Sequence, residues 1–194
     1  MEELPALNGP RLLLRTPRGS DRRDRLSCGR NAEYVRMLAG DDRNLAPMTA
    51  EEADRWYARL CEGLAKGHLT WAIEVEGRCI GTAGLHAIDE THRRARYAVA
   101  IFDPAAWGQG FGTEATRLVL AYAFDTLGLH RVDLRVLSYN RRAIACYEKC
   151  GFRPEGIERE CALVAGEWHD DIMMSVLEHE YRERSRRVNG NPSP

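Results

Sequence analysis

The sequence predicts a single mixed α/β (α+β) domain, and three observations carry that prediction. The chain has 194 residues, the size of one ordinary domain. Its apolar residues alternate at every second position in some stretches and recur at every third or fourth in others. In chain order these patterns are a strand, helices, an antiparallel meander, and then strand–helix–strand–helix–strand. That order packs as one sheet flanked by helices.

Arg11-Leu12-Leu13-Leu14-Arg15 is a short apolar run between Pro10 and Pro17 and reads as the first strand, with residues 1–9 as an N-terminal extension. From Ser20 to Gly67 the pattern is helical. Thr49-Ala50-Glu51-Glu52 offers a threonine cap and two acids to suit the positive end of a helix dipole. Trp56, Leu60 and Leu64 then recur at four-residue spacing. Trp71–Val75, the turn pair Glu76-Gly77 and Cys79–Leu85 read as a hairpin. A further strand, Tyr97 to Phe102, stops at Asp103-Pro104. Gly110-Phe111-Gly112 opens a helix with Ala115, Leu118, Val119, Tyr122 and Thr126 on one face, which Gly128 ends. Val132–Val136 alternates as a strand, Asn140 to Lys149 reads as a helix closed by Gly151, and Gly156–Val164 with Asp171–Leu177 reads as a final strand pair. Residues 182–194 are basic and then rich in Asn, Gly, Pro and Ser, so they read as a flexible tail to a domain spanning 10–181.

Composition excludes several classes. Lys+Arg is 28 and Asp+Glu is 29, a formal net charge of -1, which argues against a nucleic-acid or membrane-surface binder. Lysine occurs only as Lys66 and Lys149, so 26 of the 28 basic residues are arginines, which genome composition suffices to explain. The longest apolar run, Leu118 to Phe124, is seven residues, against the roughly 20 of a membrane-spanning helix. The acidic start, Met1-Glu2-Glu3, lacks a secretory pattern, so a cytoplasmic location is expected. The six cysteines form no C-x-x-C pair and no zinc-type grouping with histidine, so free thiols and no metal are expected.

The sharpest local feature is Trp107-Gly108-Gln109-Gly110-Phe111-Gly112-Thr113, set between a strand and an amphipathic helix. Three glycines in five residues let the backbone approach a ligand closely, and a helix start presents unpaired N–H groups with a positive dipole end. Together they suit a phosphate or pyrophosphate. No lysine follows the last glycine as in a P-loop, and the glycines fall at every second position, unlike G-x-G-x-x-G. A plain tight turn fits the same residues. About one helix further on, Asn140 can cap a helix and offer an amide to a ligand alongside, with Ala143 and Tyr147 on the helix face next to it. A capped helix with a core tyrosine fits the same residues and is the better account of Asn140 taken alone.

These two segments resemble the GNAT N-acetyltransferases, and within them the RimJ/RimL-like branch. The turn from Trp107 to Ala115 is similar to the family's pyrophosphate loop, Q/R-x-x-G-x-G/A, with Gly110 and Gly112 at its small positions and Trp107 where Q or R is usual. Asn140 through Phe152 is similar to N-x-x-[AS]-x-x-x-Y-E-K-x-G-F, and Gly166–Ser175 resembles the penultimate turn and final strand. The resemblance spans roughly residues 10–181.

The resemblance implies a twisted, mostly antiparallel sheet of six to seven strands splayed into a V, with acetyl-CoA in the V as co-substrate. It implies that the backbone of Val99, Ala100 and Ile101 bonds the pantetheine and holds the thioester carbonyl. The N–H groups of Trp107, Gly108, Gln109, Gly110, Phe111, Gly112 and Thr113 would hold the pyrophosphate, with Asn140 and Ala143 along the cofactor. Nearby arginines such as Arg141 and Arg142 would help.

Amide formation from a thioester needs a neutral amine, an oxyanion stabiliser and a proton for the leaving thiolate. Free amines titrate near ~10, so a base or desolvation is needed at neutral pH. A backbone N–H of the Tyr97–Phe102 strand would meet the oxyanion. Tyr147 is the candidate general acid in direct attack by the amine, with no covalent enzyme intermediate, and Cys146 is read as a packed thiol. The branch often carries Ala-Glu where this chain has Ala95-Arg96, so the usual base is missing. Substitutes are His86, Asp89, Glu90 and His92 near the expected mouth of the V, His169 with Asp170 near the last turn, or a water relay. Arg96 itself would suit an acidic group on the acceptor. The acceptor is expected to be a small-molecule amine or a protein N-terminus, with no nucleic acid and no membrane involved, and the exposed final strands leave room for a homodimer. Competing readings are a non-catalytic CoA-binding module and an acyltransferase using a different acyl-CoA or acylating a hydroxyl.

Overall fold

The structure, a computed structural model, describes residues 3–43 and 45–188. Among these, eight strands form one sheet in the order β1-β2-β3-β4-β5-β6-β8-β7. They are β1 (Leu7–Asn8), β2 (Leu13–Arg15), β3 (Leu69–Val75), β4 (Arg78–Asp89), β5 (Arg94–Ile101), β6 (Arg131–Leu137), β7 (Arg153–Val164) and β8 (Glu167–Leu177). The helices are α1 (Asp21–Ser27), α2 (Ala32–Met37), α3 (Ala50–Ala65), α4 (Phe111–Ala121), α5 (Arg141–Cys150) and α6 (Glu178–Val188). Among the described residues, no helix is long and apolar enough to cross a membrane.

All neighbouring strands pair antiparallel except β5 and β6. Those two pair in parallel only from Arg94↔Arg131 to Arg96↔Asp133. Beyond that point β5 stays with β4 as far as Ile101, and β6 stays with β8 as far as Leu137. Each strand keeps its own antiparallel partner, so the sheet opens between them into the expected V. The eighth strand, one more than expected, is the two-residue β1.

The main core lies on the face covered by α4 and α5. Leu14, Trp71, Leu85, Val119, Phe124, Leu134 and Met174 are sealed there. On the other face Phe102 meets Trp56 of α3 edge-on at 5.6 Å. Two glycines allow the strands around β4 to approach closely: a Cβ at Gly81 would stand 2.3 Å from the Ala100 carbonyl oxygen, and one at Gly84 2.3 Å from that of Leu69.

Three expectations are corrected. Part of the expected extension joins the sheet: Leu7 and Asn8 pair with β2, Leu4 N donates to Thr16 Oγ1 at 2.9 Å, and the Trp71 indole donates to the Pro5 carbonyl at 2.8 Å. The helix expected to run to Thr126 is α-helical only to Ala121, and Tyr122–Thr126 is a wider π turn. The first residues of the expected tail, 182–188, continue helix α6, which docks through Tyr181, stacked on Phe124 at 4.9 Å and donating to Asp125 Oδ2 at 2.7 Å. Its polar sequence concealed a helix carried by charge pairs such as Glu178–Arg182, 3.0 Å apart. The end of the expected tail, 189–194, lies outside the described residues.

Candidate active site

The opening between β5 and β6 is a cleft of about 520 Å³. One wall is the free edge of β5. Phe102 N donates to Ile80 O, so in the alternating ladder Val99 and Ile101 turn their backbone groups away from β4 toward the gap. Val99, Ala100 and Ile101 all line it.

The floor is the glycine-rich turn. A single 3₁₀ turn (Pro104–Ala106), capped by Asp103 Oδ1 accepting from Ala105 N at 2.9 Å, leads out of β5. Gly108 (φ 74°) and Gly110 (φ 85°) then take left-handed conformations that disfavour a side chain. Glu114 N returns to Gly110 O, but the N–H groups from Gly108 to Thr113 meet no acceptor among the described residues. A run of unpaired donors ending in the start of an eleven-residue helix suits a pyrophosphate.

Trp107 takes an unexpected part. Its indole N–H donates to the Ile101 carbonyl at 2.9 Å, tying the turn to the strand, and Arg142 lies over its ring at 4.4 Å. Arg11 braces the outer side through Gln109 O at 2.8 Å and Glu114 at 2.9 Å. Trp107, Gly108, Gly110, Phe111, Gly112 and Thr113 line the cleft. Gln109 does not: its side-chain amide folds back on the Ala105 carbonyl at 2.6 Å.

On the far wall α5 begins at Asn140, whose Oδ1 accepts from Ala143 N at 3.1 Å. The cap occupies that oxygen and leaves the side-chain NH₂ for the cleft, which Asn140 and Ala143 both line. Arg142 and Lys149 also reach it, whereas Arg141 stands outside it.

Tyr147 packs edge-on against Tyr97 and Phe152 at 6.3 and 5.7 Å. Burial pushes its phenol well above the ordinary tyrosine value, with Cys146 and Cys150 adding to the effect. It lines the cleft, and its hydroxyl has no protein hydrogen-bond partner among the described residues and is not sealed from the cleft. The Tyr97 hydroxyl, by contrast, is bound to Thr116 Oγ1 at 2.9 Å, which itself donates to Gly112 O. Cys146 packs behind the turn, receiving Thr113 Oγ1 at 3.4 Å, and the neighbouring Cys150 thiol holds its own thiol below the ordinary cysteine value.

The substitute bases do not gather at the cleft. Asp89 and His92 pair at 2.8 Å in the β4–β5 turn with Glu90, beside the closed end of the V and not its mouth. His86 pairs with Arg96 across the ladder outside the cleft. Asp170 Oδ1 accepts Glu160 N at 2.8 Å, and His169 packs on Tyr139 at 4.8 Å. Arg96 is bonded to Asp133 at 2.9 Å across the parallel pair, so it is not turned to an acceptor.

The sequence reading missed two parts of the site. Tyr34 and Met37 of α2 with Leu38 and Ala39 cover the cleft, held there by Arg142–Glu33 at 2.7 Å and by Tyr139 donating to the Arg36 carbonyl at 2.6 Å. Arg135 and Asp171 also line it. Glu158, Cys161 and Asp171 bring ligand atoms within 4.8 Å of one another, and Arg135 stands 2.8 Å from the Glu158 carboxylate.

The family model of the Acetyltransferase (GNAT) domain matches residues 11–153. Spermidine N(1)-acetyltransferase of Escherichia coli K12 is 32% identical over 111 residues, a stretch covering 57% of this chain and 59% of that protein. The uncharacterized N-acetyltransferase YoaA of Bacillus subtilis is 29% identical over 89% of this chain and 97% of its own. The crystal structure of spermidine N-acetyltransferase from Vibrio cholerae, in complex with CoA and spermine, superimposes with a TM-score of 0.74 at 25% identity, covering 90% of this chain and 99% of that one.

Proposed function

Since the chain belongs to the GNAT acetyltransferase family, we propose that it transfers an acetyl group from acetyl-CoA to a primary amine, by direct attack on the thioester. The observation that carries the reading is one continuous cleft joining a free strand edge, a row of unpaired N–H donors and an unpartnered tyrosine hydroxyl.

The backbone of Val99 to Ile101 holds the pantetheine like an added strand, and a free N–H of this edge meets the oxyanion. Gly108 to Thr113 hold the pyrophosphate, with Arg142 and Lys149 supplying positive charge. Tyr147 gives a proton to the departing sulfur, and its burial keeps the phenol protonated through neutral pH. The leaving thiolate has a proton affinity near that of cysteine, pKa ~8.5, within reach of a phenol. A small-molecule amine as acceptor is supported by the relatives named for spermidine, and a protein N-terminus is the second acceptor class, in keeping with the RimJ/RimL-like motifs. A cytoplasmic location is part of the same proposal, and the free edge of β7 leaves room for a homodimer.

Titration calorimetry with acetyl-CoA tests the cleft, and thiol release across an amine panel tests the chemistry. No saturable binding would refute the assignment. Binding without turnover on any amine would leave a CoA-binding module, and turnover only with another acyl-CoA or a hydroxyl acceptor would redirect it.

A further inference from the structure

Asp171 is the one carboxylate among the described residues that line the cleft, where the charged neighbours are Arg135, Arg142 and Lys149. It stands in β8 opposite Leu137 of β6 and Glu158 of β7, at the end where β6 has left β5. Directly paired residues share a sheet face, so Asp171, Leu137, Arg135 and Glu158 lie on one face, and continuity through Asp133↔Arg96 puts Ala98 and Ala100 there too. Tyr147 lies on the opposite, core-covered face. The gap between β5 and β6 joins the two.

Among the described residues, Asp171 Oδ1 and Glu158 Oε2 are sealed and lack a hydrogen-bond donor, whereas Asp171 Oδ2 also lacks one but is not sealed from the cleft. Arg135 Nη1 stands 2.8 Å from Glu158 Oε2, an ion contact whose N–H is not aligned as a hydrogen bond. Two carboxylates beside one guanidinium leave a negative charge and unmet acceptors. A primary ammonium brings a positive charge and three N–H donors. Asp170 is not an alternative, because its Oδ1 holds the Glu160 N–H at a bulge in β7.

Resting on the acetyl-transfer reading above, we propose that Asp171 receives the ammonium group of a cationic primary amine entering the gap from the β7–β8 side, and takes its proton. The proton passes from R–NH₃⁺ to the carboxylate, and the freed lone pair forms the C–N bond to the acetyl carbon. The C–S bond breaks with its electron pair going to sulfur. Tyr147 protonates that sulfur and is recharged by the second nitrogen proton, while Asp171 returns its proton to water. The products are an amide, CoA thiol and one proton. Removing the proton on one face and delivering one on the other keeps base and acid apart.

The groups facing Asp171 are Glu158 and Cys161 from β7, Arg135 from β6 and Tyr139 beyond β6. Burial pushes its carboxyl above the ordinary aspartate value, with Glu158 adding and with Cys161 and Arg135 opposing. A base raised toward neutrality is better matched to an ammonium.

Asp171→Asn tests this in the full chain. Acetyl-CoA binding by calorimetry is expected to be unchanged, with KM for the amine raised and kcat at pH 7 reduced about 100-fold or more. The deficit should shrink about tenfold per pH unit above pH 8, as free amine forms on the way to its own pKa near 10. An undiminished kcat, or a loss equal at every pH, would overturn the proposal. Glu158→Gln gives a second readout that does not depend on the first variant folding. Removing that charge should move the acid limb of kcat to lower pH, and a limb that stays in place would overturn the assignment. A wild-type chain that binds no acetyl-CoA would refute the transfer reading instead, so the two failures are distinguishable.

Discussion

Tyr147→Phe removes one oxygen atom from the cleft wall and leaves the ring packed at 6.3 Å from Tyr97 and 5.7 Å from Phe152. Because that oxygen has no protein partner among the described residues, no donor or acceptor is orphaned by its loss. Folding stability should therefore change by less than about 0.5 kcal/mol, a shift in thermal midpoint of about 2 °C or less for a chain of this size. Activity should respond very differently. Loss of a general acid lowers turnover about 10²- to 10⁴-fold, or about 3–5 kcal/mol at 1.36 kcal/mol per decade. The assay is thiol release at saturating acetyl-CoA and amine, beside a thermal melt of the same preparation. In the wild type, burial raises the phenol pKa, so the acid form should persist and any alkaline limb due to Tyr147 should lie above the free-tyrosine value of about 10. Full turnover in the variant would refute the acid role. Parallel loss of turnover and melting temperature would show that the hydroxyl supports the fold instead.

Trp107→Phe keeps a ring for Arg142 but loses the bond to Ile101 O. With about 1 kcal/mol at stake, acetyl-CoA should bind roughly fivefold more weakly by calorimetry. Gly84→Ala places a Cβ 2.3 Å from the Leu69 oxygen and 2.9 Å from Thr70 Cα, both backbone; a cost of about 2–3 kcal/mol should lower the thermal midpoint by about 4–10 °C. Glu155 is held at about 2, below its usual 4.5, chiefly by hydrogen bonds from Arg131. A depressed carboxyl stabilises fully above its unfolded pKa and loses that contribution as pH falls through the folded one, so the pair should lose its effect between about pH 4.5 and 2. The group is partly exposed, so the effect should stay below ~1 kcal/mol, and Glu155→Gln should flatten that part of the stability–pH curve in acid titrations followed by circular dichroism.

The parts of the site legible in the sequence were those built within one turn or one helix. Gly108 and Gly110 announce a left-handed backbone, and Asn140 announces a cap. Thr49 and Glu52 form the reciprocal capping box whose ends stand three residues apart. What stayed hidden depended on register. The adjacent acids Asp170 and Asp171 point to opposite faces of β8, and nothing local says which one meets the cleft. That choice is set by the register of β8 on β6, which puts Asp171 opposite Leu137. A one-residue slip there would exchange their roles.

Helix α6 and the cover formed by α2 were hidden for a related reason: their docking comes from a few long-range contacts, such as Tyr181 on Phe124 and Tyr139 on the Arg36 carbonyl. By itself, then, the sequence determined the order of strands and helices, the anion-binding turn and the family. These are short-range consequences of side-chain periodicity, glycine conformation and capping, which neighbouring residues settle among themselves. Only the tertiary structure decided that β5 and β6 part after three paired positions, that Arg96 is occupied by Asp133, and that Asp171 stands in the gap. Those outcomes join residues tens of positions apart, and they follow from pairing register and sheet closure, to which no single segment holds the information.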